Sequence, residues 1–308
     1  MENKYFPEGI IISEPKNRRY TDSLSGLEEA MEKGIILEGV VTVCDAYHNL
    51  HVDLGAFKGI IPKEETVYSP AGEPTKDIAI ITRVGKSVCF VVTDILQKDG
   101  GTVVMLSRRL AQKMCCENYV STLSEGDVID AVVTHIEKFG VFCDIGCGMI
   151  GLLPVDCISV SRISHPKERF RCGEKIKCVV KNNERDICRI TLTHKELLGT
   201  WQENAELFSP GETVAGIVRS IEPYGIFVEL TPNLAGLAEW CDGVEEGSLV
   251  GAYIKSIIPE KMKIKLIIVG VSSEQASRSN NGYFFEGGHM DEWNYSPDGC
   301  TKQVYTQF

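Results

Sequence analysis

A glycine followed by the same succession of short β-rich segments occurs three times in this chain, starting at Gly34, Gly126 and Gly211. The starts lie 92 and 85 residues apart, a period that fits tandem small domains and not a solenoid. The middle copy is the clearest: Ala131 to Pro154 reads AVVTHIEKFGVFCDIGCGMIGLLP. Val132 to Ile136 is β-rich. Val141, Cys143 and Ile145 then alternate with Phe142 and Asp144, the period-two pattern of a strand with one buried face, and Gly151-Leu152-Leu153 opens a third strand. This parity puts Phe142 on the outer face beside Asp144, where core burial does not account for a large ring. The third copy repeats it, with Ile226, Val228 and Leu230 inward and Phe227 and Glu229 outward. In the first copy Leu50, Val52 and Leu54 point in and His51 and Asp53 out, and Asn49 stands where the others have glycine, which predicts a positive φ there.

In the second and third copies V-x-x-I-x-x-(F/Y)-G-(V/I)-F and a later G-L recur in order, as Val133 to Phe142 with Gly151-Leu152 and as Val218 to Phe227 with Gly236-Leu237. These residues resemble the S1 domain, the RNA-binding repeat of small-subunit ribosomal protein S1 and of several RNA-decay and translation proteins. The resemblance covers about residues 34 to 270 and is weaker in the first copy, whose LSRR ending (Leu106 to Arg109) is again similar to bacterial S1 proteins. It implies an all-β protein: three tandem oligonucleotide-binding, five-stranded Greek-key barrels joined by short α-helices. The expected layout is an N-terminal arm and helix (1–33), a divergent first barrel (34–109), a linker helix (110–125), a second barrel (126–194), a second linker helix (195–210), a third barrel (211–270) and a disordered polar tail (271–308).

Single-stranded RNA presents flat bases and a charged backbone, so a binding surface needs exposed rings with lysine or arginine beside them. Phe139 and Phe142 supply the rings in the second copy and Tyr224 and Phe227 in the third; in the first the pair is replaced by His48, or its neighbour Tyr47, and His51. Between Arg162 and Lys195 ten basic residues face four acidic ones, a net +6 stretch that includes Lys175, Lys177, Lys181 and Arg189. The part from Arg162 to Arg171 falls in the connection between strands three and four and is expected to form a phosphate-tracking rim. The family's basic position before the last strand is kept as Arg189 and Lys263. Its third-strand histidine is replaced by Pro62, Pro154 and Glu239, and its aspartate is matched only loosely by Asp94, Asn183 and Pro259-Glu260.

The chain as a whole carries 32 basic and 43 acidic residues, net −11, which excludes a generic basic nucleic-acid coat and confines RNA contact to local patches. No terminal apolar run has the form of a signal peptide and no stretch is long enough to span a membrane. Leu24 to Lys33, Arg108 to Leu123 and Lys195 to Phe208 each read as a helix leading into a barrel, while residues 1–22 read as a mobile arm or an edge strand. After Gly270 periodicity ends; Tyr283-Phe284-Phe285 and Trp293-x-Tyr295 leave a short docking motif open within the tail. The twelve cysteines include no C-x-x-C, and Cys44, Cys89, Cys143, Cys178 and Cys188 sit in apolar β runs, so they read as reduced, buried small hydrophobes of a cytosolic protein. Gly146 to Gly151 matches G-x-G-x-x-G, but a strand and not a helix follows, which removes the dinucleotide reading. Cys44, His48 and His51 are too few for a structural zinc, and no nucleophile–base–orienter set stands out. The resemblance therefore implies a non-enzymatic, cofactor-free, cytoplasmic monomer that holds mRNA near the small ribosomal subunit, with no membrane partner. The alternative is a docking module on the ribosome or an RNA-decay assembly with little direct RNA contact.

Overall fold

The computed structural model describes residues 5–70, 72, 75–98, 101–272 and 282–308. Within them, α1 (Pro15–Thr21) and α2 (Leu24–Lys33) precede the first barrel, whose strands are β1 (Leu37–Cys44), β2 (Leu50–Leu54), β3 (Phe57–Ile61), β4 (Ser87–Lys98) and β5 (Gly101–Ser107), with α3 (Asp77–Ile81) between β3 and β4. After α4 (Arg108–Asn118) come β6 (Val128–Glu137), β7 (Gly140–Gly146), β8 (Met149–Pro154), β9 (Lys175–Glu184) and β10 (Arg189–Thr193). After α5 (Trp201–Ala205) come β11 (Thr213–Glu222), β12 (Gly225–Thr231), β13 (Leu234–Ala238), β14 (Leu249–Ile258) and β15 (Lys263–Val271). Each set of five closes into a barrel with the same neighbour order, first-second-third-fifth-fourth, so the OB-type fold expected from the sequence is present. The chain divides into two compact units. One holds the chain up to Leu123 with Cys143–Gly151 and Asn183–Ile190, and the other holds Ser124–Phe142, Leu152–Asn182 and Thr191–Phe308.

The recurrent glycine of the third strand has a steric cause. In the first and third barrels this strand runs parallel to the fifth, with Gly59 beside Val104 and Leu237 beside Lys265. A Cβ on Gly59 would lie 2.6 Å from the Leu106 side chain and one on Gly236 2.5 Å from Leu266, so only glycine lets the strands approach. Inside the first barrel Val41, Leu50, Val52, Phe90, Val104 and Leu106 are fully or almost fully buried, each stabilising the fold by about 1.5–3 kcal/mol.

Several sequence expectations are corrected by polar contacts that no period reveals. The arm before α1 is folded: Gly9 and Ile12 donate backbone N–H bonds to the Glu38 carboxylate at 3.1 and 2.9 Å, and Asn17 exchanges side-chain bonds with the Glu38 backbone. Asp144 is buried, not outward. Its carboxylate accepts from Gly146, Gly148 and Glu8 backbone N–H groups, and the arm supplies the Glu8 bond that takes it out of water. Glu229 is likewise buried, because Arg169 and Arg219 close over it. Positive φ falls on His48 (63°) and not on Asn49: the Asp45 carboxylate organises the turn by accepting from Tyr47 and Asn49 N–H groups and the Asn49 amide. The second linker is not one helix. A 3-10 turn at Lys195–Leu198 ends at Gly199 (φ 82°) before α5, whose N-terminus Thr200 and Glu203 cap reciprocally.

The stretch read as a disordered tail is, over residues 282–308, ordered by its aromatics. Trp293 and Tyr295 are buried in the core of the third barrel's unit, and Glu292–Asn294 pairs with Tyr305–Gln307. Residues 273–281 lie outside the described residues. The cysteines are not all reduced either: Cys116 on α4 is disulfide-bonded to Cys188, while the other ten remain thiols.

Candidate nucleic-acid interface

In the second barrel the β6–β7 turn presents Phe139 with 57% of its surface exposed, and half-buried Phe142 follows on β7. The rings meet edge to face, centroids 5.9 Å apart at 89°. A third ring, His135 of β6, lies 6.1 Å from Phe142 at 32°. The third barrel builds the same corner: Tyr224, 69% exposed, and Phe227 meet at 6.2 Å and 88°. Edge-to-face packing fixes each pair against its neighbour and leaves the outer ring's face to water, the arrangement on which a base can stack. The turn glycine is again steric, since a Cβ on Gly140 would lie 2.6 Å from the Leu153 carbonyl oxygen.

His135 escaped the sequence reading because it shares odd parity with inward Ala131 and Val133. A bulge reverses parity at this point of the first strand. The register shift is seen between Val41 and Val43 and between Val218 and Ser220, and the burial of the second barrel follows it, with Val133 buried, His135 exposed and Ile136 buried. The position across from the platform ring is then Val43 opposite His51 and Ser220 opposite Phe227. A bulge leaves no residue signature here, since the place holds Val43, His135 and Ser220 in the three copies. Lys265 was also missed. It lies in one row with Phe227 through Leu237, across β12, β13 and β15, and is exposed. Lys263, the residue expected from the family position, sits two residues earlier at the start of β15 and is exposed as well.

The first barrel offers a different corner. His48 lies 3.3 Å from Lys63 Nζ and 3.6 Å from Asp77; His51 lies 3.3 Å from Asp45; Tyr47 is 81% exposed. Burial opposes ionisation of Asp45, but the bonds from Asn49, His51 and Tyr47 outweigh it and hold the carboxyl at about 2. Both histidines are thus tied to carboxylates, as His135 is to Glu137 at 2.6 Å, unlike the phenylalanine and tyrosine rings of the other two barrels.

The net +6 stretch is not one surface. Arg169 is 12% exposed and bonds Glu229 at 2.6 Å; Lys177 pairs with Asp130 at 3.0 Å; Lys181 donates to the Cys157 sulfur at 3.1 Å. Lys175, Arg162 and Arg171 are exposed, as is Arg189, which stands 3.8 Å from Glu184. Arg162, Lys167 and Arg169 line a cleft of about 760 Å³ along β11, with Arg219, and four glutamates (Glu168, Glu174, Glu229 and Glu246) balance them. Arg219 bonds both Glu168 and Glu229, and among the described residues no platform ring borders the cleft. Within this loop Arg169 is thus drawn into an ion-pair network with Glu229, while Arg162 and Arg171 stay exposed.

Comparison with known proteins places the chain in a family. A family model described as the S1 RNA binding domain matches residues 122–195, the second barrel. The chain is 28% identical over 231 residues to "Small ribosomal subunit protein bS1" of Rhizobium meliloti, covering 74% of this chain and 39% of that protein. It is 29% identical over 194 residues to the bS1 homolog of Bacillus cereus (60% and 49%) and 37% identical over 279 residues to bS1 of Staphylococcus epidermidis (88% and 67%). The chain spans half or less of the length of the first two relatives.

Proposed function

Since the chain belongs to the bS1 family of small-ribosomal-subunit proteins, we propose that it binds single-stranded RNA and acts in translation, holding unstructured mRNA near the small subunit. The observation that carries this reading is the repeated ring pair, Phe139–Phe142 and Tyr224–Phe227, built with the same edge-to-face geometry in two barrels. The three modules are taken as 34–109, 126–194 and 211–270, with the second the strongest because it alone adds His135 to its rings. RNA contact is assigned to Phe139, Phe142, Tyr224 and Phe227 for stacking, and to Lys175, Arg189 and Lys263 for phosphates. Lys177 and Lys181 take secondary roles because internal partners already hold them. His48 and His51 give the first barrel weaker stacking. The protein works as a cytoplasmic monomer, without catalysis, cofactor or membrane partner.

The docking alternative draws on one specific observation: Arg169 of the basic loop is spent on an internal ion pair, and four glutamates offset the cations of its cleft, in a chain of net charge −11. Fluorescence polarisation of a short single-stranded RNA decides between the two. Micromolar or tighter binding that weakens on replacing Phe139 supports the RNA reading; no binding at low salt leaves the docking role.

A further inference from the structure

Cys188 stands in the left-handed region (φ 49°) at the end of the turn between β9 and β10, directly before Arg189. The third barrel builds the equivalent turn with Met262 (φ 47°) before Lys263, so the backbone does not ask for cysteine here. Burial does not explain it either, because Cys188 is half-exposed, whereas Cys89, Cys115, Cys143 and Cys147 are buried. What distinguishes it is its partner. Buried Cys116 on α4 lies with its Cα 6.5 Å away and is bonded to it across 72 residues of sequence. The same seam holds two further links, from the Asn183 amide to the Val120 and Leu123 carbonyls at 2.8 and 2.9 Å.

A chain that keeps ten cysteines as thiols alongside one bonded pair suits surroundings in which disulfides form and break reversibly. Two of the buried thiols, Cys89 and Cys147, are poor exchangers. Burial raises the Cys89 thiol well above its ordinary range, and hydrogen bonding with Cys115 together with burial raises that of Cys147, so both stay protonated and slow to exchange. We propose that Cys116 and Cys188 are a reversible thiol–disulfide site, set by the low-molecular-weight thiol pool, that tethers the β9–β10 hairpin to α4. In the forward direction the half-exposed Cys188 thiolate attacks a small disulfide, whose S–S bond breaks to release one small thiol. The Cys116 thiol then gives up its proton and attacks the Cys188 sulfur, releasing the second. Two protein thiols lose two electrons and two protons in all, and one small disulfide becomes two thiols.

The test equilibrates the full chain in buffers of graded glutathione to glutathione-disulfide ratio, traps thiols with iodoacetamide and quantifies the Cys116–Cys188 linked peptide by mass spectrometry. The expected result is a single two-electron transition from unlinked to linked, absent in Cys116→Ser and in Cys188→Ser. Hydrogen exchange over residues 183–189 should slow several-fold on oxidation of the wild type and not change in Cys188→Ser. No linked peptide at the most oxidising ratio, a link that persists under excess thiol, or hairpin exchange indifferent to redox state each overturns the proposal. Oxidation also fixes the turn that carries Arg189; that consequence rests on the RNA reading above. The mass and exchange measurements need no RNA, so failure of RNA binding would count against that reading alone.

Discussion

Phe139 and Phe142 do different work at one corner. Phe139 is mostly exposed and meets Phe142 edge to face, so Phe139→Ala should weaken RNA binding by about 1–3 kcal/mol, the contribution of a stacked base, with little loss of stability. Phe142 is half-buried, so Phe142→Ala should show the same binding loss together with a lower melting temperature. Polarisation titrations and thermal melts on the same variants check this; equal binding by Phe139→Ala and wild type would remove the ring from the interface. His135→Ala should act as a third, smaller loss in the second barrel. Phe142 and Phe227 were legible in the sequence because strand alternation exposes a misplaced aromatic, and Phe139 and Tyr224 because an aromatic recurs before the turn glycine. His135 and Lys265 were not, the first because a bulge inverts parity, the second because a row across three strands is visible only after pairing.

At the scale of elements, buried polar groups join each barrel to the segments around it. Arg108, the third residue of LSRR, is 1% exposed and grips Glu8 with two bonds, 2.6 and 3.0 Å, while bonding the Thr66 carbonyl. Arg108 outweighs the burial of Glu8 and holds its carboxyl below the ordinary range. Arg108→Met should therefore cost up to about 3–5 kcal/mol by leaving the buried Glu8 carboxylate with only Arg83, 3.4 Å away, as its cation, and adding Glu8→Gln should recover part of the loss in denaturant melts. No recovery would mean that packing, not charge, holds the arm. His194 occupies the corresponding place after the second barrel. It is buried, its Nδ1–H donating to the Ile158 carbonyl at 3.1 Å and its Nε2 accepting from the Tyr283 hydroxyl at 3.4 Å, while Tyr283 itself accepts from Lys177 N–H. Burial, then the charge of Arg169, lowers it from 6.5 to about 4. The native state thus favours the neutral ring and the unfolded chain takes the proton first. Stability is full above pH 6.5 and falls as the pH drops toward 4, by up to about 3 kcal/mol. Denaturant midpoints between pH 7 and 4.5 should show that loss, and His194→Asn should lack this part of it; matching slopes would contradict the assignment. The tail's order was illegible because it depends on a few aromatics spaced irregularly among polar residues, and composition alone then reads as disorder.

Across the whole molecule one strand order is used three times, and its repetition was readable from three glycine-led copies; the division of binding labour between them was less so. The net +6 stretch looks like a cationic track in sequence, yet Arg169, Lys177 and Lys181 have internal partners. Phosphate neutralisation is accordingly expected from few residues. Each phosphate left without its cation should reduce the log–log salt slope by about 0.7, so replacing Lys175 and Arg189 together should lower it by roughly 1.4 if both touch the backbone. Within the full chain, alanine at Phe139 and Phe142 should cost more affinity than alanine at Tyr224 and Phe227, and His48 with His51 should cost least.

The most direct measurement is polarisation binding of the full chain to a short unstructured RNA, wild type against a variant with alanine at Phe139, Phe142, Tyr224 and Phe227, with circular dichroism confirming that both are folded. The account predicts salt-dependent binding by the wild type and binding weaker by a factor of about thirty or more in the variant, the contribution of two stacked bases at the low end of the stacking range. Equal affinity for the two folded proteins would contradict it, and would leave the barrels as docking surfaces.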